Sequence, residues 1–338
     1  MAESAPPRFS VIIPTYNYGR YLPTALDSVL DQSRDDVEIL VVDDASTDAT
    51  PEIVSRYTRH VGYVRLPSNV GPARAWGEGL DRVSGRYVCK LDADDWQLPG
   101  FLEAMGAALD DAPSAGMAAT AVFAYYELLS RISLAPVGAP AGLLDAPNFR
   151  LRLLGQFFFF MPGIMLRREA LLGQGPPRPE LWMAHDWEFL IRAMRGWSCF
   201  VLDEPLAVYR VHSGSVTQSG RTERLLADMT ILQEMASMSG SALSLTDQEK
   251  ERFCLAVAET YLRLTPLNLL RFDFRGAFRH VELAMQLAGG SGWGPTSSKA
   301  RMLFRVAARK GKSHMIWKFG LDSTNVETLL PKPSCASN

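Results

Sequence analysis

Residues 9–17 read FSVIIPTYN, a β-branched apolar run that ends at a proline and predicts a buried strand. Residues 38–44, EILVVDD, and residues 85–95, GRYVCKLDADD, repeat this pattern, with each apolar run followed by aspartates. Residues 21–31 and 71–83 place apolar side chains at helical spacing between the runs. Because helices join these strands, the sequence predicts an α/β fold with a mainly parallel, doubly wound sheet.

The pattern is looser after residue 100 and becomes helical towards the end of the chain. A further helix begins at Thr50, where a proline stands in the first turn. The other predicted strands are 62–66, 117–125 and 163–166, and the other predicted helices are 187–194, 221–238, 246–264 and 274–287. The last three predict a helical C-terminal region.

Composition and charge exclude several classes of protein. The 338 residues are 47% hydrophobic and 21% charged, which is enough apolar material for a core and excludes intrinsic disorder. A formal net charge of -2 argues against a nucleic-acid partner. The cysteines are scattered singly, so we expect neither a disulfide scaffold nor a zinc site, and a reducing cytoplasmic location. No signal peptide and no membrane-spanning helix are predicted.

Aspartates cluster where two of the predicted strands end. Asp43 and Asp44 follow one strand, and Asp92, Asp94 and Asp95 follow another. Ligands of open α/β sheets bind at the carboxyl ends of the strands, and a divalent metal there joins carboxylates to phosphate oxygens. Aspartates are also common in turns and helix caps, which is the alternative reading. Neither a P-loop nor a GxGxxG follows the first strand, which favours metal-bridged diphosphate binding over dehydrogenases and P-loop NTPases.

Six motifs together resemble the family 2 glycosyltransferases, which are inverting, carry a DXD motif and have the GT-A fold. They are SVIIPTYN at 10–17, ILVVDDASTD at 39–48, NVGPAR at 69–74, LDADD at 91–95, HDWE at 185–188 and YRVH at 209–212. The resemblance implies a Rossmann-like, mainly parallel sheet flanked by helices. It also implies an enzyme that transfers a hexosyl or N-acetylhexosaminyl group from a nucleotide-diphospho-sugar to a hydroxyl group, and we expect a UDP-linked donor.

The resemblance assigns donor binding to residues in five of these motifs. In relatives, the first motif cradles the nucleotide base, and a carboxylate in the second accepts a hydrogen bond from it. The residues implied are Pro14, Thr15, Tyr16, Asp43, Asp44, Asn69, Arg74, Asp92, Asp94, Arg210 and His212. Arginine side chains offer the planar donor fork that diphosphates accept.

By the same resemblance, Asp92 contacts the sugar nucleotide and Asp94 binds Mn²⁺ or Mg²⁺. The metal offsets the charge that develops on the leaving nucleoside diphosphate. Arg210 and His212 lie in a segment that closes over the donor in relatives, and His212 is a second candidate metal ligand.

Asp186 is the candidate general base, at the beginning of a predicted helix. A base opposite the leaving diphosphate implies single displacement with inversion. Aspartate is also a favoured N-cap residue, which is the structural alternative for Asp186. Trp182 and Trp187 flank Asp186 and are candidate platforms for an acceptor sugar.

The resemblance and the composition divide the chain into three predicted parts. Residues 1–103 form the donor-binding half, residues 104–220 the acceptor-binding half with the base, and residues 221–338 a helical region. Basic and apolar residues interleave over 298–320, which predicts peripheral contact with the inner face of the plasma membrane, or packing on the acidic catalytic domain or in a homo-oligomer.

Two other functions stay open at this point. One is a non-catalytic sugar-nucleotide or partner-binding module with a relic DXD. The other is a sugar-phosphate nucleotidyltransferase, although Pro14 to Asn17 stand where such enzymes have a glycine-rich stretch. The acceptor is a glycan, a lipid-linked intermediate or a small metabolite.

Overall fold

The computed structural model describes residues 6–57, 59–155, 159–215, 221–237, 243 and 245–270. Within these residues the chain forms two compact units. One contains residues 6–150 and 159–215, and the other contains 151–155 together with the described residues from 221 onward.

The helices and strands alternate in the first unit and the second contains helices. The strands are β1 (Phe9–Thr15), β2 (Val37–Asp43), β3 (Gly62–Arg65), β4 (Tyr87–Lys90), β5 (Trp96–Gln97), β6 (Ala115–Tyr126), β7 (Arg131–Ala135), β8 (Gly142–Leu144), β9 (Ile164–Arg167) and β10 (Ser198–Val211). The helices are α1 (Leu22–Leu30), α2 (Thr50–Val54), α3 (Pro72–Leu80), α4 (Phe101–Asp111), α5 (Ala146–Gly155), α6 (Arg168–Leu171), α7 (His185–Ala193), α8 (Arg221–Ser237) and α9 (Asp247–Leu270).

The sheet has the strand order β3-β2-β1-β4-β9-β6-β10-β5, with β7 paired to β6 and β8 to β10. Strands β3, β2, β1 and β4 are parallel, as the alternation of helices and strands predicts. Strand β9 then joins β4 to β6 through antiparallel pairs, while β6 and β10 are parallel to each other. The carboxyl ends of β1, β2 and β4 therefore share one edge, which is where the aspartates of the sequence motifs lie.

Strand β1 extends through Pro14, where the sequence predicted that it would stop. β1 pairs with β4 only from Phe9 to Ile12, whereas it pairs with β2 as far as Thr15. A proline is tolerated in a strand at a position that has no neighbour to receive its missing N–H. The first motif therefore carries its backbone two residues further along the sheet than predicted.

Helix α3 packs closely on β1 because it contains a glycine at the contact. A Cβ on Gly79 would lie 2.3 Å from the Cγ2 atom of Ile12, well inside van der Waals distance. The buried face of α3 also includes Ala73, Ala75 and Trp76. This close packing fixes α3 beside the carboxyl end of β1.

The sequence did not predict β5, β7, β8, α4, α5 or α6. Most of these are five residues or shorter, too short for periodicity to be read. Helix α4 did carry a signal, because Phe101, Leu102, Met105 and Leu109 follow helical spacing and are all buried.

Helices α8 and α9 of the second unit lie where helices were predicted, and α9 runs further, to Leu270. The predicted helix 274–287 and the basic segment 298–320 lie outside the described residues. Among the helices that are described, none is long and apolar enough to cross a membrane.

Candidate active site

Asp43 ends β2, and its carboxylate is held by two protein donors. The side chain is fully buried; Oδ1 accepts the backbone N–H of Ser46 at 2.8 Å, and Oδ2 accepts the hydroxyl of Tyr63 at 2.6 Å. Burial and the adjacent carboxylate raise the pKa of Tyr63 to about 12, so the phenol stays a donor. In this conformation the protein itself supplies a donor to each oxygen, and no part of the Asp43 side chain is open to a nucleotide base.

Asp44 builds the loop that leads into α3. Its Oδ1 accepts the N–H of Val70 at 2.7 Å and its Oδ2 accepts the N–H of Gly71 at 2.9 Å. Gly71 has φ +89°, a conformation that favours glycine. Burial raises the pKa of Asp44 despite these two hydrogen bonds. The contacts of Asp44 thus place Asn69 and Arg74 on either side of a fixed turn.

Asn17 ties the loop after β1 to the loop after β2. It has φ +58°, its Oδ1 accepts the N–H of Thr47 at 2.7 Å, and its own N–H donates to Ser46 Oγ at 2.9 Å. Asparagine is one of the residues that tolerates this backbone conformation. The sequence analysis quoted Asn17 in a motif without assigning it a role, and the structure makes it the link between the two loops.

The other predicted donor-binding residues of this half lie around these two loops. Tyr16 is 41% exposed, and Asn69 and Arg74 are also exposed. Thr15 is buried, and its Oγ1 has no hydrogen-bond partner among the described residues. Exposed side chains and a free buried hydroxyl at one sheet edge are groups that a ligand can contact.

The DXD segment follows β4, and each of its aspartates has a different partner. Asp92 Oδ1 lies 2.7 Å from the ammonium of Lys90, and Asp94 Oδ2 lies 3.0 Å from Nε2 of His212. Asp95 Oδ1 accepts the backbone N–H of Arg210 at 2.8 Å, while its Oδ2 is buried without a hydrogen-bond partner. Burial and the neighbouring carboxylates raise the pKa of Asp95 well above its usual range. The segment therefore concentrates negative charge that the protein only partly offsets.

Arg210 holds the DXD backbone from β10. Its Nε donates to the carbonyl oxygen of Asp94 at 2.8 Å, and its guanidinium lies 4.8, 4.7 and 5.5 Å from the ring centres of Tyr21, Trp96 and Tyr125. Only 8% of the side chain is exposed. These contacts place Arg210 beneath the DXD turn, where it fixes the turn through the main chain.

His212 is oriented by hydrogen bonds on both ring nitrogens. Nδ1 accepts the N–H of Gly214 at 3.2 Å, so the proton of a neutral ring is on Nε2, which faces Asp94. A metal bound at Nε2 would displace that proton to Nδ1 and break the contact with Gly214. Asp94 is thus the better metal ligand, and His212 fits better as its hydrogen-bond donor.

The donor set fits a hard divalent cation that takes most of its ligands from a substrate. Within the described part of the chain, no group of three or more His, Cys, Asp or Glu side chains is arranged around a metal position. Mg²⁺ in phosphate sites commonly uses one or two carboxylates, with phosphate and water oxygens as the rest. The Asp94 carboxylate, with the unpartnered Oδ2 of Asp95 next to it in the chain, fits that arrangement.

Asp186 lies in the first turn of α7, which begins one residue earlier, at His185. The N-cap position of this helix is occupied by Ala184, so the N-cap interpretation of Asp186 is wrong. Oδ1 lies 2.9 Å from Nε2 of His185, and Oδ2 lies 3.5 Å from Nζ of Lys90. Burial opposes ionisation of Asp186, but the interactions with His185 and Lys90 outweigh it and hold the pKa of Asp186 far below its usual range. Asp186 is therefore an ionised carboxylate available to accept a proton.

Lys90 lies within this cluster of charged residues, and the sequence analysis did not single it out. Its ammonium contacts Asp92 and Asp186, which belong to different motifs, and its side chain is 3% exposed. Burial lowers the pKa of Lys90, but Asp186 and Asp92 outweigh it and leave the pKa above its ordinary value. The available signal was a lysine within the apolar run of β4, two residues before the DXD.

A buried ion pair fixes α7 behind the site. Glu188 is fully buried and its carboxylate contacts Nε of Arg192 at 2.5 Å and Nη2 of Arg192 at 3.0 Å. Trp187, predicted as a sugar platform, is only 7% exposed, so it cannot stack on an acceptor in this conformation. Trp182 is partly exposed and stays a candidate.

Comparison with known proteins identifies the family. A family model described as Glycosyl transferase family 2 matches residues 10–212, which include the DXD segment, Asp186 and His212. The chain belongs to glycosyl transferase family 2.

Curated relatives carry glycosyltransferase names. The chain is 44% identical over 92 residues to the glycosyltransferase TuaG of Bacillus subtilis, which is 26% of this chain and 36% of TuaG. It is 29% identical over 261 residues to the uncharacterised glycosyltransferase alr2836 of Nostoc, which is 74% of this chain and 76% of that protein. The match to TuaG thus spans about a third of the length of that relative.

Solved structures establish the GT-A fold. S. aureus TarS 1–349 superposes with a TM-score of 0.52 at 20% identity, covering 82% of this chain and 91% of TarS 1–349. The mannosyltransferase PcManGT from Pyrobaculum calidifontis, in complex with GDP-Man and Mn²⁺, superposes with a TM-score of 0.53 at 19% identity, covering 93% of this chain and 88% of PcManGT. At these identities the likeness concerns the fold alone.

Proposed function

We propose that this glycosyltransferase is an inverting, metal-dependent enzyme that uses a nucleotide-diphospho-sugar, with a UDP-linked donor as the first candidate. The observation that carries the proposal is the position of Asp186 relative to the DXD. Its carboxylate and that of Asp92 contact the same ammonium, at 3.5 and 2.7 Å. A proton acceptor and the donor-binding carboxylates are thereby held in one site, as a single displacement requires.

In this mechanism Asp186 accepts the proton of the acceptor hydroxyl as that oxygen attacks the anomeric carbon. The new bond joins the acceptor oxygen to the anomeric carbon, and the bond from that carbon to the diphosphate oxygen breaks on the opposite face. Asp186 is a weak base because its pKa is low, so the proton moves late, after the sugar has gained oxocarbenium character.

Asp94 would hold the divalent metal, and Asp92 would bind the sugar nucleotide. The metal, when bound, offsets negative charge on the leaving nucleoside diphosphate. Arg210 keeps the DXD backbone in place, and His212 orients the Asp94 carboxylate. TarS 1–349 has been solved with UDP and with UDP-GlcNAc, and PcManGT with GDP-Man and Mn²⁺, which supports a nucleotide-sugar donor and Mn²⁺ or Mg²⁺.

We assign donor binding to residues 1–103 and acceptor binding to residues 104–220. The acceptor is a hydroxyl of a glycan, a lipid-linked intermediate or a small metabolite, and the transferred group is a hexosyl or N-acetylhexosaminyl group. A peripheral membrane contact or homo-oligomer contact through 298–320 is proposed from the sequence alone, as is a cytoplasmic location.

Calorimetric titration with UDP, GDP and dTDP, with and without Mn²⁺, tests donor binding. We expect one nucleotide to bind in a metal-dependent way to the wild type and not to Asp94→Ala. Asp81→Ala is the matched control, because Asp81 is an exposed aspartate at the end of α3. If no nucleotide binds under any condition, the proposal is wrong.

Transfer assays with the matching sugar nucleotides then test the chemistry. We expect Asp186→Asn to lower kcat by about 10²- to 10⁴-fold while nucleotide binding is retained, because only proton transfer is lost. The anomeric configuration of the product, read by NMR, should be inverted. Metal-dependent nucleotide binding without any transfer or donor hydrolysis would instead support the non-catalytic binding module.

A further inference from the structure

Lys90 joins two carboxylates that come from opposite parts of the site. Its Nζ lies 2.7 Å from Oδ1 of Asp92, in the loop after β4, and 3.5 Å from Oδ2 of Asp186, in the first turn of α7. An ammonium has three donor hydrogens and can serve both carboxylates at once. The contact therefore connects the proposed donor-binding carboxylate directly to the proposed base.

A buried tryptophan ring lies beside the Lys90 ammonium and limits its movement. The Lys90 ammonium lies 5.6 Å from the ring centre of Trp76, which is fully buried in α3. Trp76 in turn packs edge-to-face on Phe189 of α7, with ring centres 4.7 Å apart, and near His185 at 6.4 Å. Because Trp76 covers the ammonium and only 3% of the lysine side chain is exposed, water competes little for the contact.

The two neighbouring carboxylates, Asp92 and Asp186, need a cation between them to stay ionised together. Among the described residues, the titratable groups at Asp186 are the Lys90 ammonium from β4, the His185 ring from α7 itself, and the Asp92 carboxylate from the DXD loop. Asp92 and Asp186 repel each other, and burial penalises both of their charged forms. Without Lys90, protonation of one carboxylate relieves the repulsion, and a protonated Asp186 cannot act as a base.

We propose that Lys90 is a positioning residue of the transfer reaction, which holds Asp186 ionised and fixed relative to Asp92. The inference rests on the proposed function, since it assigns Lys90 a role through the base.

The test is the pH dependence of kcat at saturating donor and acceptor, measured between about pH 5 and 8. The wild type should show a flat profile, because Asp186 is ionised throughout this range. In Lys90→Met, kcat should fall as the pH is lowered within this range, because loss of the cation leaves burial and the Asp92 charge, which together can raise the pKa of a carboxyl by several units and bring the acid limb of the profile into this window. Lys90→Gln, a smaller change, serves if the methionine variant does not fold.

A second substitution separates this effect from simple damage to the fold. Adding Asp92→Asn to Lys90→Met removes the repelling carboxylate, so the acid limb should move back to lower pH. Arg167→Met is the matched control: Arg167 is also a buried cation, but it binds the carbonyl oxygens of Leu109 and Ala115. Its loss should lower stability and leave the profile flat.

The inference is overturned if the lysine variants keep a flat profile, whatever their absolute kcat, or if the double variant does not reverse the shift. Failure of the proposed function is recognised separately, in the wild type. A wild-type protein that transfers no sugar from any sugar nucleotide refutes both, whereas an active wild type with unshifted variants refutes only the role of Lys90.

Discussion

The buried Glu188 carboxylate in α7 gives a sharp test of how the structure holds its proposed base. Two arginines contact it, in very different surroundings. Arg192 binds it at 2.5 and 3.0 Å with 6% of its side chain exposed, whereas Arg178 approaches to 3.3 Å and is 37% exposed. Glu188→Gln and Arg178→Gln therefore remove charges from the same cluster at different depths.

The expected losses of stability differ several-fold. Glu188→Gln leaves the Arg192 guanidinium buried without a counter-charge, which typically costs about 3–5 kcal/mol. Arg192 keeps its contacts with the carbonyl oxygens of Gln174 and Pro176, which places the expected loss near the lower end. Arg178→Gln removes a partly solvated ion pair and should cost less than about 1 kcal/mol.

Urea unfolding measures both losses, with circular dichroism and tryptophan fluorescence required to give the same midpoint. The replacement of both buried partners, Glu188→Leu with Arg192→Met, should recover part of the stability, because no buried charge is then left unpaired. Equal losses for Glu188→Gln and Arg178→Gln would refute the reasoning, since burial would not then decide the strength of the pair. Because α7 carries Asp186, Glu188→Gln should also lower kcat.

Three further predictions concern packing, pH and the donor site. Gly79→Ala should cost about 1–3 kcal/mol in urea unfolding, because the new Cβ meets Ile12 at 2.3 Å; an unchanged midpoint would contradict the packing. The hydroxyl of Tyr87 and two arginines outweigh burial and lower the pKa of Asp110. Ionised Asp110 therefore stabilises the fold at any pH above its pKa in the unfolded chain, and this stabilisation is lost as the pH falls through its lower pKa in the folded protein. Asp110→Asn should flatten this acid dependence, and a slope equal to the wild type would refute it. Arg74→Ala should weaken nucleotide binding about tenfold or more with no change in unfolding midpoint, since Arg74 is exposed, and unaltered affinity would remove Arg74 from the donor site.

The sequence by itself determined the parallel half of the fold and the edge where the site lies. Apolar runs at 9–13, 38–42 and 85–91 predicted strands, and the structure confirms β1, β2 and β4 there. The aspartates after the second and third of these runs had to lie at one edge, because parallel strands end at the same edge of a sheet. These inferences succeed because strand periodicity and strand ends are local properties of the chain.

The tertiary structure alone decided which partner each site residue has. Asp94 meets His212 across 118 positions of sequence, and Lys90 meets Asp186 across 96. Arg210 lies under the DXD turn, among three aromatic rings from separate elements. No local pattern encodes such pairs, because they depend on how β10 and α7 pack against the end of β4. A lysine in an apolar run is unremarkable until folding brings two carboxylates to its ammonium, and only burial then makes its charge decisive.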